Sequence, residues 1–241
     1  MTAQSSTIPG LLSSHLQTTD KFSDVTLECE EHSFSCHKII LAAQSKFFTS
    51  LFSDMFSGDG ASLFQLRGVT KTGLEQAINC LYGRPMILTM NTVWKVVKDA
   101  DYLMLDEVLD KCSTFLLTTL RPVNCLGVWA LAKQFHLARL SSQVMEYIMF
   151  NIREVGGTEE FLTLDCSTLV SIQADGRLVV REEEEVWGLA LSWMQGNMDK
   201  EEQLEKVVRT IRFGLMGRDF LKQNVVSHPA ASSSTLLEEV K

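Results

Sequence analysis

Three sets of residues in this sequence have types and spacing that could carry chemistry. Cys29, Cys36 and His37 lie close enough to suggest a metal site. A tetrahedral zinc takes four ligands, and no CxxC or HxxxH pair occurs to supply them. Cys29 and Cys36 also alternate with polar residues on strand candidates, as core thiols do. The run Glu182–Glu185 is the second set, since paired carboxylates can move protons or hold cations. It opens a helical pattern, where negative charge complements the positive end of the helix dipole, so a solvated first turn is expected. The third set is the histidines. His15, His32, His136 and His228 stand far apart with no obvious acid partner. GxSxG, GxxxxGK[ST], HExxH and GxGxxG are all absent. The residues point to no active site, no metal and no cofactor.

The elements that would position these groups change character half-way along the chain. Residues 25–29 alternate, Glu30-Glu31-His32 can turn and residues 33–36 can return, which predicts a hairpin. KIILAAQ and SKFFTSLF read as two short helices around Ser45, and residues 62–66 as a strand. Leu74, Ala77, Ile78 and Leu81 keep a 3.6-residue period until Gly83 and Pro85. MILTM (86–90) allows a short strand, and Asn91 is the expected cap of a helix over TVWKVVKDADYL. A further helix is expected from about Leu105 to Leu120. Beyond Pro122, which suits a first helical position, everything legible is helical. Val128, Leu131, Ala132 and Phe135 share one face, and Leu140, Val144, Tyr147, Ile148 and Ile152 another. Gly156-Gly157 interrupts the pattern. Val186, Leu189, Ala190, Trp193 and Met194 then follow i, i+3, i+4, i+7, i+8 without a miss. Asp199 with Glu202 resembles a capping box ahead of Leu204, Val207, Val208 and Ile211. The domain boundary is expected near 120–122.

The 241 residues are 45% hydrophobic and 22% charged, enough apolar material for a sizeable core. With 22 Lys+Arg against 30 Asp+Glu the net charge is −8. An acidic chain without a basic block is a poor binder of polyanions, which argues against direct nucleic-acid contact. No apolar run reaches the roughly 18–20 residues that span a bilayer, and MTAQSSTIPG lacks the pattern of a secretory signal. Cysteines at 29, 36, 80, 112, 125 and 166 are irregularly spaced in apolar segments, which suits reduced thiols in the cytosol or nucleus. The expectation is a soluble intracellular protein, cytoplasmic or also nuclear, without a membrane partner.

Phe22-Ser-Asp24-Val25-Thr-Leu27, followed by Phe34-Ser-Cys36-His37-Lys38-Ile-Ile-Leu41-Ala42-Ala43-Gln-Ser45 and the aromatic pair Phe47-Phe48, resembles the opening of a BTB (POZ) domain. Leu51-Phe52, Leu81-Tyr82-Gly83, Ala100-Asp101-Tyr102-Leu103-Met104, Cys112 and Phe115-Leu116 continue the match. The second half is similar to the BACK domain of kelch-like proteins through Asn124-Cys125-Leu126, Glu160-Phe161-Leu162, Leu164, Glu185-Val186-Trp187 and Trp193. Arg212-Phe213-Gly214-Leu215 stands where that family usually has R-F-P-L. The resemblance implies an α+β fold: a BTB domain with a small sheet and surrounding helices over 21–120, then an all-α BACK domain over 121–241. Phe22, Leu27, Phe34 and Leu41 are plausible core positions whatever the family.

The resemblance also implies function: a dimer, inert as a catalyst, that acts as substrate adaptor of a cullin-3 RING ubiquitin ligase. The BTB domain would grip the cullin-3 N-terminal region, BACK would extend that contact, and a kelch propeller would hold the substrate for ubiquitination. No kelch repeat is present, and Leu236-Leu-Glu-Glu-Val-Lys241 resembles the linker that precedes the propeller. A shortened chain and a naturally short form both fit that ending. A dimerisation segment is expected over residues 1–20, where Leu11, Leu12, His15 and Leu16 can form one apolar face of a helix too short to stand alone. That helix would pack on a partner protomer or cap its own domain. Phe22, Asp24 and Lys38 complete the implied homodimer interface, the last two as an opposed pair in a charged pocket, and Asp24→Asn is expected to release monomer. The implied cullin contact comprises Phe52, Met55, Phe56, Asp59, Tyr102 and Asn124. Kelch-like adaptors usually carry a hydrophobic-x-Glu motif here, whereas no Glu occurs from His32 to Leu74 and Gly58 falls where it belongs. The other reading is a BTB–BACK scaffold that organises cytoskeletal or transcriptional partners without cullin. A heterodimer with another BTB protein fits as well.

Overall fold

The computed structural model describes residues 22–53, 63–195 and 201–227. Strand β1 (Val25–Cys29) pairs antiparallel with β2 (His32–Cys36), Leu27 opposite Phe34. The connection needs left-handed backbone at Glu30 (φ 44°) and Glu31 (φ 63°), which matches the twist of a two-residue hairpin. Strand β3 (Leu63–Gln65) lies parallel to β1, giving the order β2-β1-β3. Leu27, at the centre, is fully buried and Phe34 only half-buried.

Helices α1 (Lys38–Gln44) and α2 (Lys46–Ser53) meet at the buried Ser45. Its hydroxyl accepts the amide of Phe48 at 3.1 Å and donates to the carbonyl of Leu103 at 2.7 Å. Helix α3 (Lys71–Leu81) begins at Thr70, whose Oγ1 accepts the amide of Gly73. No strand forms over MILTM. The segment is held from the side instead, the amide of Ile87 donating to Gln76 Oε1 at 2.7 Å, and among the described residues no neighbouring strand offers it a ladder to join. Thr92, not Asn91, precedes α4 (Val93–Tyr102), because its hydroxyl closes a turn on the amide of Thr89. Helix α5 (Asp106–Thr118) follows. Val96, Val97, Val108, Cys112 and Leu116 complete the core of this unit.

Contacts divide the chain between Thr119 and Leu120. Every described element of the second unit is helical: α6 (Cys125–Gln134), α7 (Ala138–Phe150), α8 (Ile152–Val155), α9 (Glu159–Leu162), α10 (Cys166–Gln173), α11 (Glu183–Gln195) and α12 (Glu201–Val208). Pro122 does not start α6; it sits in a turn closed by Asn124, whose Oδ1 accepts the amide of Arg121. Thr158 and Asp165 cap α9 and α10 with their side-chain oxygens. Asp199, half of the expected capping box, lies outside the described residues. Val128, Leu140, Val144, Ile148, Phe161, Ile172, Val186, Ala190 and Trp193 form the core, so the periodic faces read from the sequence do point inward.

Candidate protein-interaction surfaces

Most groups that could carry chemistry are used structurally. Cys29 and Cys36 are buried at the ends of the hairpin, and burial pushes the Cys36 thiol up to about 12. The buried His37 turns its Nδ1 to the Tyr82 hydroxyl at 2.8 Å, and that hydroxyl also accepts the His37 amide at 2.9 Å. Among the described residues, no three His, Cys, Asp or Glu side chains converge as metal ligands would. Cys166 alone of the six cysteines is only half-buried, and its thiol donates to the carbonyl of Gln203. No helix among the described residues is long and apolar enough to cross a membrane.

The glutamate run corrects the sequence reading. Glu182 is exposed, Glu183 buried, and Glu184 and Glu185 half-buried with partners from elsewhere in the unit. Glu183 takes the amide of Arg212 at 2.8 Å and pairs with its guanidinium at 3.4 Å. Glu184 accepts the amide of Gly217 at 3.0 Å, which holds its carboxyl below the ordinary range. Glu185 pairs with Arg153 on α8. The sequence shows four charges at a helix start but not the three donors that fold back onto them.

Of the first expected surface, Leu11, Leu12, His15 and Leu16 lie outside the described residues. Phe22 is not a core residue: it is 87% exposed at a positive φ of 73°, with Ile39 also exposed at the start of α1. Within one protomer the side chains of Asp24 and Lys38 do not pair with each other. Asp24 Oδ1 accepts the backbone amide of Lys38 at 2.8 Å, placing a carboxylate at the positive end of α1. The Lys38 ammonium lies 5.9 Å from the centre of the Phe52 ring. Asp24→Ala is therefore expected to cost about 1 kcal/mol, as loss of a helix cap does, and Asp24→Asn, which keeps an acceptor oxygen, clearly less. Urea melts of both variants check this, and equal losses would refute the capping role.

The second expected surface is rearranged as well. Met55, Phe56 and Asp59 lie outside the described residues, as does Gly58. Phe52 is 8% exposed, stacked on Phe48 at 5.8 Å and edge-on to Phe64 at 5.5 Å, so it packs the core beneath this face and offers no area to a partner. Tyr102 is 52% exposed, its ring 5.4 Å from that of Phe47. Beside it Met104 is exposed at a φ of 51°. The buried Leu103 between them, its carbonyl held by Ser45, turns both neighbours outward. Met104, exposed, and Phe47, half-buried against Tyr102, are residues that the sequence reading quoted but did not assign to a contact. The sign available was that Met104 follows the last residues of α4. Asn124, in the second unit, is half-buried and its side-chain oxygen is engaged by Arg121.

A hairpin with a third parallel strand wrapped by α1–α5, then an all-helical unit, agrees with comparison to known families. The BTB/POZ domain matches residues 13–120, and BACK, "BTB And C-terminal Kelch", matches 125–226. The chain belongs to the BTB–BACK family. Among curated relatives, human Kelch-like protein 17 is 27% identical over 224 residues, covering 90% of this chain and 35% of its own length. Human Kelch-like protein 3 is 31% identical over 205 residues, covering 84% and 35% respectively. Human Kelch-like protein 2 is 28% identical over 232 residues, covering 94% and 39%. This BTB–BACK chain thus spans little more than a third of the length of the curated relatives it matches. Among the described residues there is no kelch propeller.

Proposed function

We propose that this BTB–BACK protein is a dimeric adaptor, inert as a catalyst, that recruits the N-terminal region of cullin-3 for substrate ubiquitination in the cytoplasm or nucleus. The observation that carries the reading is the exposed pair Tyr102 and Met104, with the half-buried Phe47 ring against Tyr102. Aromatic and methionine side chains are the types enriched at protein interfaces, and here they stand on a well-packed support. Phe22, ahead of β1, and Ile39, at the start of α1, supply exposed apolar area for the homodimer, together with Leu11, Leu12, His15 and Leu16. Phe56, Met55 and Asp59 would complete the cullin contact beside Tyr102, with Asn124 as its BACK extension. Substrate would be held by a kelch domain outside this sequence.

The absence of Glu from 32 to 74 favours the second reading, a scaffold that pairs without cullin. Calorimetric titration with the cullin-3 N-terminal region, with mass followed by light scattering, separates the two. The adaptor reading expects submicromolar binding, one cullin per protomer of a dimer, weakened about tenfold or more by Tyr102→Ala, as for an interface anchor. A folded dimer that releases no heat would leave the scaffold.

A further inference from the structure

The last described stretch of the helical unit, residues 212–227, is attached differently from the rest. It comprises a 3-10 turn (Phe213–Leu215), a short helix (Arg218–Phe220) and a π turn (Leu221–Val225). Of its 16 residues only Met216 and Val225 are buried. Its backbone bonds from Leu215 to Arg212, Met216 to Phe213, Leu221 to Gly217 and Val226 to Leu221 stay within the stretch. The described hydrogen bonds that leave it run to two side chains at the start of α11. Glu183 takes the Arg212 amide and guanidinium, and Glu184 takes the Gly217 amide. One ring contact joins them, Phe213 edge-on to Trp187 at 6.2 Å.

We propose that residues 212–227 form a strap that opens as a unit while α6–α11 stay folded, with Glu183 and Glu184 as its clasp. Segments with few buried apolar side chains and exposed backbone bonds open at a fraction of the global unfolding free energy. Here two buried side chains hold 16 residues, against the continuous core behind α11. The clasp bonds are made to carboxylates, stronger than neutral ones but few, so opening requires the loss of a small, countable set. Opening bares the Glu183 carboxylate, whose side chain is otherwise 4% exposed, and the Trp187 ring. The inference is independent of cullin binding.

Hydrogen exchange of the full chain, read amide by amide by NMR, tests it. The amides of Arg212 and Gly217 are expected to exchange at least tenfold faster than those of Val144 and Ile148, with little dependence on low denaturant. Glu184→Ala should speed the strap amides by about a further tenfold, the loss expected for one hydrogen bond to a charged group, and leave Val144 and Ile148 unchanged. A common rate with a common denaturant slope would overturn the strap. An unchanged strap rate in Glu184→Ala would overturn the clasp. Should that variant unfold outright, the wild-type comparison alone decides.

Discussion

Trp193→Ala is expected to destabilise the helical unit by about 3–5 kcal/mol, the range for removing a fully buried large aromatic side chain. Trp193 is 1% exposed on the inner face of α11, in line with Val186, Leu189 and Ala190, so alanine would leave a cavity in the core against that face. Its indole N–H also donates to the carbonyl of Leu164 at 2.8 Å, which ties α11 to the turn before α10. Alanine orphans that carbonyl as well as emptying the space. Trp193→Phe separates the two contributions: it restores most of the volume but not the donor, and should cost about 1–3 kcal/mol for the carbonyl left without its partner. Denaturant melts followed by circular dichroism measure both. A loss below about 1 kcal/mol for alanine would mean that the unit collapses around the gap, contrary to the packing described.

What was legible in the sequence follows from how local each signal is. The run Val186, Leu189, Ala190, Trp193 fixes a helix and its inward face because both are set by one period within one segment. The hairpin, the helices either side of Ser45 and the helical second half were legible for the same reason. MILTM was misread because an extended, apolar run is a strand only if a neighbour pairs with it, and the neighbour is not in the run. Glu182–Glu185 was misread likewise: a solvated first turn and a clasp have the same local sequence, and Arg212 and Gly217 lie nearly 30 or more residues on. At the candidate surfaces, Phe52 and Tyr102 are both aromatic residues of the resemblance, yet one is core and one surface. The difference comes from which side of its helix each occupies, Phe52 against Phe48 and Phe64, Tyr102 facing outward at the last residue of α4.

Gly73→Ala is expected to destabilise the BTB unit, although alanine is the better helix former by about 1 kcal/mol. Gly73 is in the first turn of α3, and a Cβ there would lie 2.0 Å from Asp99 Oδ2 and 2.7 Å from Asp99 Cβ and Cγ. Asp99 has nowhere to retreat. It is 1% exposed on α4, and its Oδ2 receives both the amide of Thr70 at 2.9 Å and the Thr70 hydroxyl at 2.5 Å. Those are the bonds that start α3, so moving Asp99 undoes the cap of the helix that carries the substitution. Overpacking of about 1–3 kcal/mol, added to the loss of charge-assisted bonds of about 1.5–3 kcal/mol, exceeds the propensity gain. Thermal melts should show a lower midpoint, and a raised one would refute the close approach. Asp99 gives the same contact a pH signature. Burial raises its pKa above the ordinary 3.8, opposed by the two Thr70 bonds. A carboxyl whose folded pKa is raised contributes stability below the unfolded value and loses it as pH rises through the folded value. The stability of the wild type relative to Asp99→Asn should therefore decline between pH 4 and neutrality. A difference that stays flat or grows over that range would show that the Thr70 bonds, not burial, dominate.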